Sequence, residues 1–353
     1  MSLGAALALL AAALLLGGLG LSLLGLRALL AQRPLRAWVI AARPHGQNIV
    51  LRLARPWPLP RYQAGQALAL GHPQGPWRRY SLAARWRNPF VYELAIKREP
   101  GGLVSNWAAA LKPGQRLRLK APAGDFLLPQ RQEGEWLLLA GGIGITPMRA
   151  MLQHWWAGPR RAPLTLVWSV RSLADLLDYH AEFEALAARE PRLRYLPLLT
   201  GDASAWRGER GRVTATRLRA WQQTDQPAGL WMCASAALMQ SLRKQLLEQG
   251  WRAGCIHFES FGAGANADGA RYQVRLGEQE LSFQGQPSLL AALQQAGVAV
   301  DSDCRNGSCG ACVLGLRAGQ VRELLQPEFH APPGQILACV CVPASDLVLS
   351  SPA

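Results

Sequence analysis

Hydrophobic positions follow four different patterns along the 353-residue chain. The first is an apolar run over residues 2–26, rich in Leu and Ala and without a charged side chain. A helix of about 20 such residues spans a bilayer. Positive charges follow the run at Arg27, Arg33, Arg36 and Arg43. The positive-inside rule therefore predicts a single-pass anchor over residues 1–30, in a bacterial-type inner membrane with the remaining chain cytoplasmic. The alternative is a secretory signal peptide, but no basic residue precedes the run.

The second pattern covers residues 36–128. Short β-prone runs, for example at residues 48–53, 92–97 and 116–119, alternate with Gly and Pro turns. Several short strands with turn signals between them are typical of a small antiparallel barrel or sandwich. We predict an antiparallel β-barrel here.

The third pattern covers residues 129–261. Apolar runs at 136–140, 164–169 and 229–233 are each followed by a stretch with helical periodicity. Strands that alternate with helices indicate an α/β domain with a parallel sheet. A Gly- and Ala-rich linker over residues 262–270 ends this part of the chain.

The fourth pattern, over residues 271–353, predicts a compact α+β unit. Two strands at 272–276 and 280–283 are followed by a helix at 288–295. A cysteine-rich loop comes next. The whole chain is therefore predicted to be multidomain, with a transmembrane helix, a barrel, an α/β domain and an α+β domain in that order.

The cysteine loop carries the clearest chemistry. Cys304, Cys309 and Cys312 crowd one segment, and Cys339 lies 27 positions beyond Cys312. The spacing C-x4-C-x2-C…C is the plant-type pattern for a [2Fe–2S] cluster. A zinc site or disulfides are the alternatives, but zinc knuckles show two close cysteine pairs. Cys341 competes with Cys339, which we favour because it directly follows an apolar run.

A second motif is Arg78, Tyr80 and Ser81 in the barrel segment. Arginine pairs with phosphate, tyrosine lies flat on a conjugated ring, and a serine hydroxyl can hydrogen-bond a ring nitrogen. Alone, this short motif is weak evidence for a cofactor site.

A third motif follows in the same segment, with Lys97, Gly101, Gly102 and Ser105. Glycines before a serine that opens a helix provide free backbone N–H groups and the positive end of the helix dipole. This combination predicts a pyrophosphate site.

A glycine-rich turn follows the first strand of the α/β domain, at Gly141, Gly142 and Gly144. The glycines permit close approach of a dinucleotide. We predict Thr146 as the N-cap of the next helix and Pro147 as its first residue. The turn is not a phosphate loop of the G-x-x-x-x-G-K-[ST] type, because no lysine follows.

With these motifs in this order, the chain resembles the ferredoxin–NADP⁺ reductase superfamily. The resemblance is to the class in which a plant-type ferredoxin domain is fused C-terminally to a flavin reductase, as in oxygenase reductases and hybrid-cluster-protein reductases. It covers residues 36–353 and implies a ferredoxin-like (β-grasp) fold for residues 271–353. It also implies Cys304, Cys309, Cys312 and Cys339 as the cluster ligands.

The resemblance implies roles for the flavin residues. The R-x-Y-S motif of Arg78, Tyr80 and Ser81 would bind the flavin, and the G-G-x-x-S motif would hold its pyrophosphate. Residues 121–126 look like the P-x-G-x-F turn of FAD-binding members. This similarity favours FAD over FMN.

The resemblance also implies the nicotinamide site. The G-G-x-G-x-T-P turn would receive the dinucleotide, with Cys233 beside the hydride-transfer position. The family commonly has C-G-P there, whereas Cys233 is followed by Ala234 and Ser235. This departure leaves the local turn shape and the nicotinamide affinity open. The choice between NADH and NADPH is also open, with NADH slightly favoured. Arg171 is a candidate partner for the 2′-phosphate of NADPH.

The implied activity is NAD(P)H-dependent electron transfer through FAD and the cluster, with Ser81, Tyr80 and Cys233 as the catalytic residues. The expected acceptor is a membrane-associated oxygenase or desaturase. An NADH:quinone-type reductase and a membrane-tethered redox sensor are the alternatives. The net charge of +15 comes from dispersed arginines without a nucleic-acid-binding motif. We therefore expect no nucleic-acid partner.

Overall fold

The computed structural model describes most of the chain after residue 33. The described ranges are 34–73, 77–129, 134–158, 162–176, 179–201, 206–225, 227–259, 271–286, 288–302, 307, 310–324, 327 and 329–351. The predicted anchor over residues 1–30 and the predicted linker over residues 262–270 lie outside them.

No helix within these ranges has both the length and the hydropathy to cross a membrane. The longest described helices have 13 residues. Such a helix rises roughly 20 Å, and the hydrocarbon core of a bilayer is about 30 Å thick. This finding contradicts the predicted inner-membrane location.

The first sheet is antiparallel and confirms the β-rich prediction for this part of the chain. Its strands are β1 (Leu35–His45), β2 (Asn48–Ala54), β3 (Ala67–Gly71), β4 (Trp77–Ser81), β5 (Val91–Lys97) and β6 (Arg116–Ala123). Their order in the sheet is β4-β3-β6-β1-β2-β5. A bridge between Leu82 and Leu94 joins the two edges, so the sheet closes. Alternate residues face the interior, as at Ile49, Leu51 and Leu53 of β2. Helix α1 (Leu103–Ala109) lies between β5 and β6.

The second sheet is parallel, as the alternation of strands and helices predicts. Its strands are β7 (Glu135–Gly141), β8 (Leu164–Val170), β9 (Leu193–Leu199), β10 (Glu209–Arg210), β11 (Pro227–Cys233) and β12 (Ile256–Phe258). Its helices are α2 (Ile145–Ala157), α3 (Tyr179–Ala187), α4 (Ala215–Trp221) and α5 (Ala236–Glu248). The strand order is β10-β9-β8-β7-β11-β12. The direction of winding therefore reverses between β7 and β11, where open α/β sheets bind their ligands.

The third sheet is mixed. The C-terminal elements are β13 (Tyr272–Leu276), β14 (Gln279–Phe283), α6 (Leu289–Gln295), β15 (Val313–Ala318), β16 (Val321–Glu323), β17 (Gln335–Leu337), β18 (Cys341–Pro343) and β19 (Leu347–Ser350). Five strands form the sheet in the order β14-β13-β19-β15-β17, and β16 pairs with β18. The apolar face of α6, with Leu289, Leu290 and Leu293, belongs to the same buried core as Val274 and Phe283 of the sheet.

The sheets meet at two seams. At the first, Ala64 and Ala83 of the barrel share a core with Met148 and Met151 of α2. At the second, Phe258 of β12 packs against the cores of both the α/β domain and the C-terminal unit. The first seam also brings Ser81 of the barrel to Glu259, at the end of the parallel sheet. The predicted domain boundaries at 36–128, 129–261 and 271–353 stay predictions, and β1 begins one residue before the first of them.

Candidate functional site

Strand β4 presents the flavin motif at the edge of the barrel. Arg78 and Tyr80 are two residues apart and therefore share one face, while Ser81 lies on the other. Arg78 and Tyr80 are half-buried. Burial lowers the pKa of Arg78 and raises the pKa of Tyr80, so the phenol stays neutral. A half-buried guanidinium beside a neutral aromatic ring is a donor set that suits a flavin and its phosphates.

Ser81 is 2% exposed, and its hydroxyl donates to Glu259 Oε2 at 2.8 Å. Glu259 directly follows β12, and its backbone N–H donates to the carbonyl of Met232 in β11. This one hydrogen bond therefore links the flavin strand to the end of the parallel sheet. The two partners lie 178 positions apart, so no local sequence pattern links them.

The pKa of the Glu259 carboxyl is shifted to a value that suits proton transfer. Burial raises the pKa of its carboxyl to about 7, against the opposing influence of the Ser81 hydrogen bond and of Arg79. Arg79 is itself held by the carbonyl of Ala123. A carboxyl with a pKa near neutrality holds or releases a proton at physiological pH. The arrangement can pass a proton between the Ser81 hydroxyl and the Glu259 carboxyl.

The predicted pyrophosphate turn is formed by Gly101 and Gly102. Gly101 has φ +73° with open space around the position of a Cβ atom, whereas a Cβ at Gly102 would lie 2.5 Å from Ser105 Oγ. Ser105 accepts from the backbone of Glu99 and donates to Gly102 O, so it shapes the turn. It lies in the first turn of α1 and does not open the helix, which begins at Leu103. Lys97 is exposed and paired with Glu99 at 3.3 Å.

The nicotinamide crevice lies at the switch point of the parallel sheet. A Cβ at Gly144 would sit 1.9 Å from the carbonyl oxygen of Cys233, and one at Gly141 would sit 2.8 Å from the Cβ of Ala234. Hence the turn after β7 contacts the turn after β11, and neither Gly141 nor Gly144 can carry a side chain there. Cys233 is fully buried, and burial raises the pKa of its thiol, which stays neutral.

The departure from C-G-P has a structural explanation. Ser235, in place of the proline, caps α5 by accepting from the backbone N–H of Leu238 at 3.4 Å. Ala234, in place of the glycine, packs against Gly141. The turn therefore keeps a defined shape with these two residues.

The prediction of Thr146 as a helix N-cap is wrong. A single 3₁₀ turn over Gly142–Gly144 runs directly into α2, which begins at Ile145 with Gly144 as its cap. Thr146 is buried and donates back to the carbonyl of Ile143 at 3.2 Å. Pro147 is then the third helical residue, where the missing N–H still costs no intrahelical bond. Gly142 has φ +54° and open space at its Cβ position.

Arg171 lies exposed just beyond the carboxyl end of β8. Its carbonyl accepts from the backbone of Gly201 at 3.0 Å. Ser172 and Asp175 form a capping box that closes the turn after it. This edge of the sheet is where the ribose of a dinucleotide lies in open α/β folds. The role of Arg171 stays a prediction.

Two of the predicted cluster ligands are described, and Cys304 and Cys309 lie outside the described residues. The antiparallel pair β15 and β17 brings Cys312 and Cys339 together, with Ala338 N donating to Cys312 O at 3.1 Å. A hydrogen bond with the Cys339 side chain lowers the pKa of Cys312 to about 7. Thiolate is the form that binds metal. Burial raises the pKa of Cys341, and the choice of Cys339 over Cys341 as the ligand stays a prediction.

The cluster loop is held by glycines in the left-handed region. Gly310 has φ +77°, and a Cβ there would lie 2.6 Å from the ring of Phe329. Gly307 has φ +81°, and a Cβ there would lie 3.0 Å from Pro327. Backbone this tightly packed needs glycine at both positions. The two described thiols, Cys312 and Cys339, and the tightly packed backbone at Gly307 and Gly310 fit an inorganic cluster.

Three domain models match the chain in succession. An oxidoreductase FAD-binding domain matches residues 46–127, an oxidoreductase NAD-binding domain residues 138–244, and a 2Fe-2S iron-sulfur cluster binding domain residues 274–344. The three matches together cover the barrel, the parallel sheet and the C-terminal unit.

Several curated proteins are similar over most of the chain. Phthalate dioxygenase reductase of Burkholderia cepacia is 30% identical over 303 residues, which are 83% of this chain and 88% of that protein. The heme-dependent oxidative N-demethylase beta subunit of Ectopseudomonas mendocina is 31% identical and covers 75% of this chain, with 81% of its own length matched. The glycine betaine monooxygenase reductase subunit of Pseudomonas aeruginosa is 28% identical over 299 residues, 77% of this chain and 81% of that protein.

Solved structures agree with these matches. A structure of phthalate dioxygenase reductase superposes with a TM-score of 0.59 at 26% identity, covering 90% of this chain and 98% of that one. An Amycolatopsis cytochrome P450 reductase has a TM-score of 0.59 at 28% identity, over 65% of this chain and 70% of its own.

Proposed function

Because the chain belongs to the ferredoxin–NADP⁺ reductase-type family whose members join FAD- and NAD-binding domains to a C-terminal [2Fe–2S] domain, we propose that it is the reductase component of an oxygenase system. It is an oxidoreductase with FAD, NAD(P)H and a [2Fe–2S] cluster as cofactors, as the motifs predicted. A role as a pure redox sensor is therefore set aside.

The observation that carries the proposal is the Ser81–Glu259 hydrogen bond of 2.8 Å. It joins the strand with the flavin motif to the end of the sheet whose switch point carries the nicotinamide turn. When bound, FAD accepts two electrons together from reduced nicotinamide and releases them singly to the cluster, a conversion that the nicotinamide cannot make.

The residues of the chain divide the work. Tyr80 would pack on the flavin ring, Arg78 would pair with a cofactor phosphate, and Ser81 would hydrogen-bond a flavin ring nitrogen. Because the hydride itself supplies the hydrogen at that nitrogen, Glu259 would take up, through the Ser81 hydroxyl, the proton that is released when the electrons leave for the cluster. Cys233, a neutral thiol at the crossing of two turns, provides an apolar wall for the nicotinamide. Cys304, Cys309, Cys312 and Cys339 hold the cluster.

The proposed acceptor is a separate oxygenase component. Support comes from the names of the relatives, which include reductases of a phthalate dioxygenase and of a glycine betaine monooxygenase. The net charge of +15 suits an acceptor with an acidic docking face. A desaturase would fit the same chemistry as an acceptor. We propose NADH as the preferred electron donor.

Anaerobic titration of the purified holoprotein tests the proposal. Addition of NADH or NADPH should bleach the flavin absorption and then reduce the cluster, and the reduced protein should pass electrons to cytochrome c. The ratio of kcat/KM for the two nucleotides identifies the donor. A holoprotein that is reduced by dithionite but by neither nucleotide would contradict the proposal.

A further inference from the structure

Arg149 lies in α2, the helix that begins directly after the nicotinamide turn, and its side chain is only 13% exposed. Its Nη1 donates to the carbonyl of Ala83 at 2.7 Å and to Glu93 Oε1 at 2.8 Å. Its Nε donates to Glu182 Oε2 at 2.7 Å. Ala83 and Glu93 belong to the barrel, whereas Glu182 belongs to α3. One guanidinium therefore spans the first seam.

The barrel end of this contact adjoins the flavin strand. Ala83 lies two residues after Ser81, and its backbone N–H donates to the carbonyl of Glu93 at 2.9 Å. The N–H of Ala83 is thus held by the backbone of Glu93, while its carbonyl is held by Arg149. Because a short, extended segment connects Ala83 to Ser81, a shift of one displaces the other.

The other end of the contact is locked by neighbouring side chains. Gln153, one turn along α2, donates to Glu182 Oε1 at 2.7 Å and accepts from the backbone of Arg85 at 3.0 Å. The ring of Tyr179 lies 4.2 Å from the guanidinium carbon of Arg149. The Tyr179 hydroxyl donates to Glu93 at 3.3 Å. The helix that carries the nicotinamide turn is consequently fixed to the barrel at two successive turns.

The charges in this network make Arg149 hard to replace. Burial opposes its charge, but Glu182, Tyr179 and Glu93 outweigh that effect and raise its pKa above the usual value. Without the guanidinium, Glu182 would lose this ion pair, and Glu93 would keep only Arg52, at 4.0 Å, as a cationic partner. Lysine keeps the charge but lacks the planar fork that serves three acceptors at once.

We propose that Arg149 is a positioning residue for hydride transfer, which fixes the distance between the flavin and the nicotinamide by clamping Ala83 of the barrel to α2. The inference rests on the proposed function. Hydride transfer requires reacting atoms about 3–3.5 Å apart, and a misplacement of about 1 Å can cost on the order of 100-fold in rate. Arg149 does not touch the reacting atoms and acts only through the two elements that it joins.

Arg217 provides a matched control. It pairs with Glu209, donates to the backbone carbonyls of Arg210 and Arg212, and lies 4.7 Å from the ring of Trp221. Like Arg149, it contacts a carboxylate, a backbone carbonyl and an aromatic ring, although its side chain is more exposed, at 29%. All of these partners lie in the α/β domain. Its removal should cost stability without loosening the seam.

The test compares R149M, R149K and R217M as holoproteins. Single-turnover reduction of the flavin by the nicotinamide donor should slow at least tenfold in R149M and by an intermediate factor in R149K, with the donor's dissociation constant unchanged within about twofold. R217M should reduce the flavin at the wild-type rate. Equal limiting rates in R149M and R217M would overturn the proposal.

A second readout does not depend on turnover. Hydrogen–deuterium exchange in a peptide that contains Ala83 should rise in R149M and stay at the wild-type level in R217M. If R149M does not fold, R149K and E93Q carry the same comparison, and unchanged exchange in both overturns the proposal. A wild-type protein that neither nucleotide reduces would refute the proposed function instead. The exchange measurement would still test whether Arg149 holds Ala83 of the barrel to α2.

Discussion

The two seams of this molecule are built differently. The seam between the barrel and the parallel sheet carries charged and polar contacts that cross it directly, among them Arg149 with Glu93 and Ser81 with Glu259. The seam between the parallel sheet and the cluster unit shows a neutral contact, from Gln240 of α5 to the carbonyl of Leu324 at 3.2 Å. Apolar packing by Phe258 accompanies it.

The difference follows the chemistry expected at each seam. A hydride moves between atoms that must be in near contact, so the first seam has to hold its geometry closely. A single electron moves from flavin to cluster without forming a bond, and that step tolerates small changes of distance and angle. Interfaces between domains permit motion unless they are large and apolar or are specifically locked. Among the described residues, the charged contacts that are seen to cross a seam therefore lie where the hydride is expected to move.

The largest effect is expected at the cluster. C312S and C339S should abolish the cluster absorption and lower electron delivery to a protein acceptor at least 100-fold, while reduction of the flavin by the nucleotide continues. C341S should keep its cluster, because Cys341 lies in β18 and pairs with β16, whereas the β15–β17 pair brings Cys339 to Cys312. Visible absorption and electron paramagnetic resonance spectra provide the measurement. Loss of the cluster in C341S and its retention in C339S would exchange the two assignments.

The next largest effect is expected at the nicotinamide crevice. G144A places a methyl group 1.9 Å from the carbonyl of Cys233, so the backbone of one turn must move. We expect the limiting rate of flavin reduction by the nucleotide to fall on the order of 100-fold, since a misplacement of about 1 Å has a cost of this size in rate. G254A is the control, because nothing lies within 4 Å of its added Cβ. Single-turnover reduction of the flavin measures both, and equal limiting rates would show that the turn adapts.

These two sites also show what the sequence could predict. Period-two and buried apolar runs indicate strands reliably, because side chains alternate across a sheet, and the barrel and parallel sheet follow from them. The cysteine spacing is a local signal of the same quality, and Cys312 and Cys339 do come together. The start of α2 was missed because a 3₁₀ turn precedes the helix, and no propensity rule separates the two.

Contacts across the seams could not be predicted. Glu259 and Ser81 are brought together only by the packing of two sheets, and their separation of 178 positions leaves no local pattern. Arg149 is one arginine in a chain with 38 basic residues. Arg149 stands among apolar residues of α2, which is a pattern that can indicate a buried ion pair. Surface helices often show the same pattern with the charged residue facing solvent, so the pattern alone does not identify such a pair. The apolar N-terminal run led to a wrong prediction rather than a missed one. Its composition suggested an inner-membrane location that the described helices contradict.

A smaller effect is expected from pH at the first seam. The pKa of Glu259 is raised to about 7, so its carboxyl is protonated at pH 6 and mostly ionised at pH 8. If the ionised carboxylate takes up the proton released through Ser81, the rate of electron transfer from flavin to cluster should rise about tenfold between pH 6 and pH 8. E259Q, whose amide takes up no proton at any of these pH values, should show a flat profile. A wild-type profile that is also flat over this range would remove Glu259 from proton transfer.

The same group makes stability depend on pH. Because the folded pKa of Glu259 lies above the ordinary carboxyl value of 4.5, the folded state binds the proton more tightly than the unfolded state. This contribution to stability is fully present below about pH 4.5 and is lost as the pH rises through about 7. The difference in Tm between E259Q and wild type should therefore shift in favour of E259Q from pH 6 to pH 8. Thermal unfolding followed by circular dichroism measures the shift.

The smallest effect is expected at the second seam. Q240A removes one neutral hydrogen bond, worth about 1 kcal/mol, and should slow electron transfer from flavin to cluster by about threefold or less. S241A, the neighbouring change on α5, is the control. A loss as large as that of R149M would mean that the second seam is locked as firmly as the first.

One anaerobic stopped-flow experiment tests the central difference between the seams. Wild type, R149M and Q240A are mixed with the nicotinamide donor, and flavin and cluster absorption are followed at two wavelengths in the same reaction. We expect R149M to slow the flavin phase at least tenfold, and Q240A to leave the flavin phase unchanged with a small effect on the cluster phase. A normal flavin phase in R149M, or a large slowing of either phase in Q240A, would contradict this account.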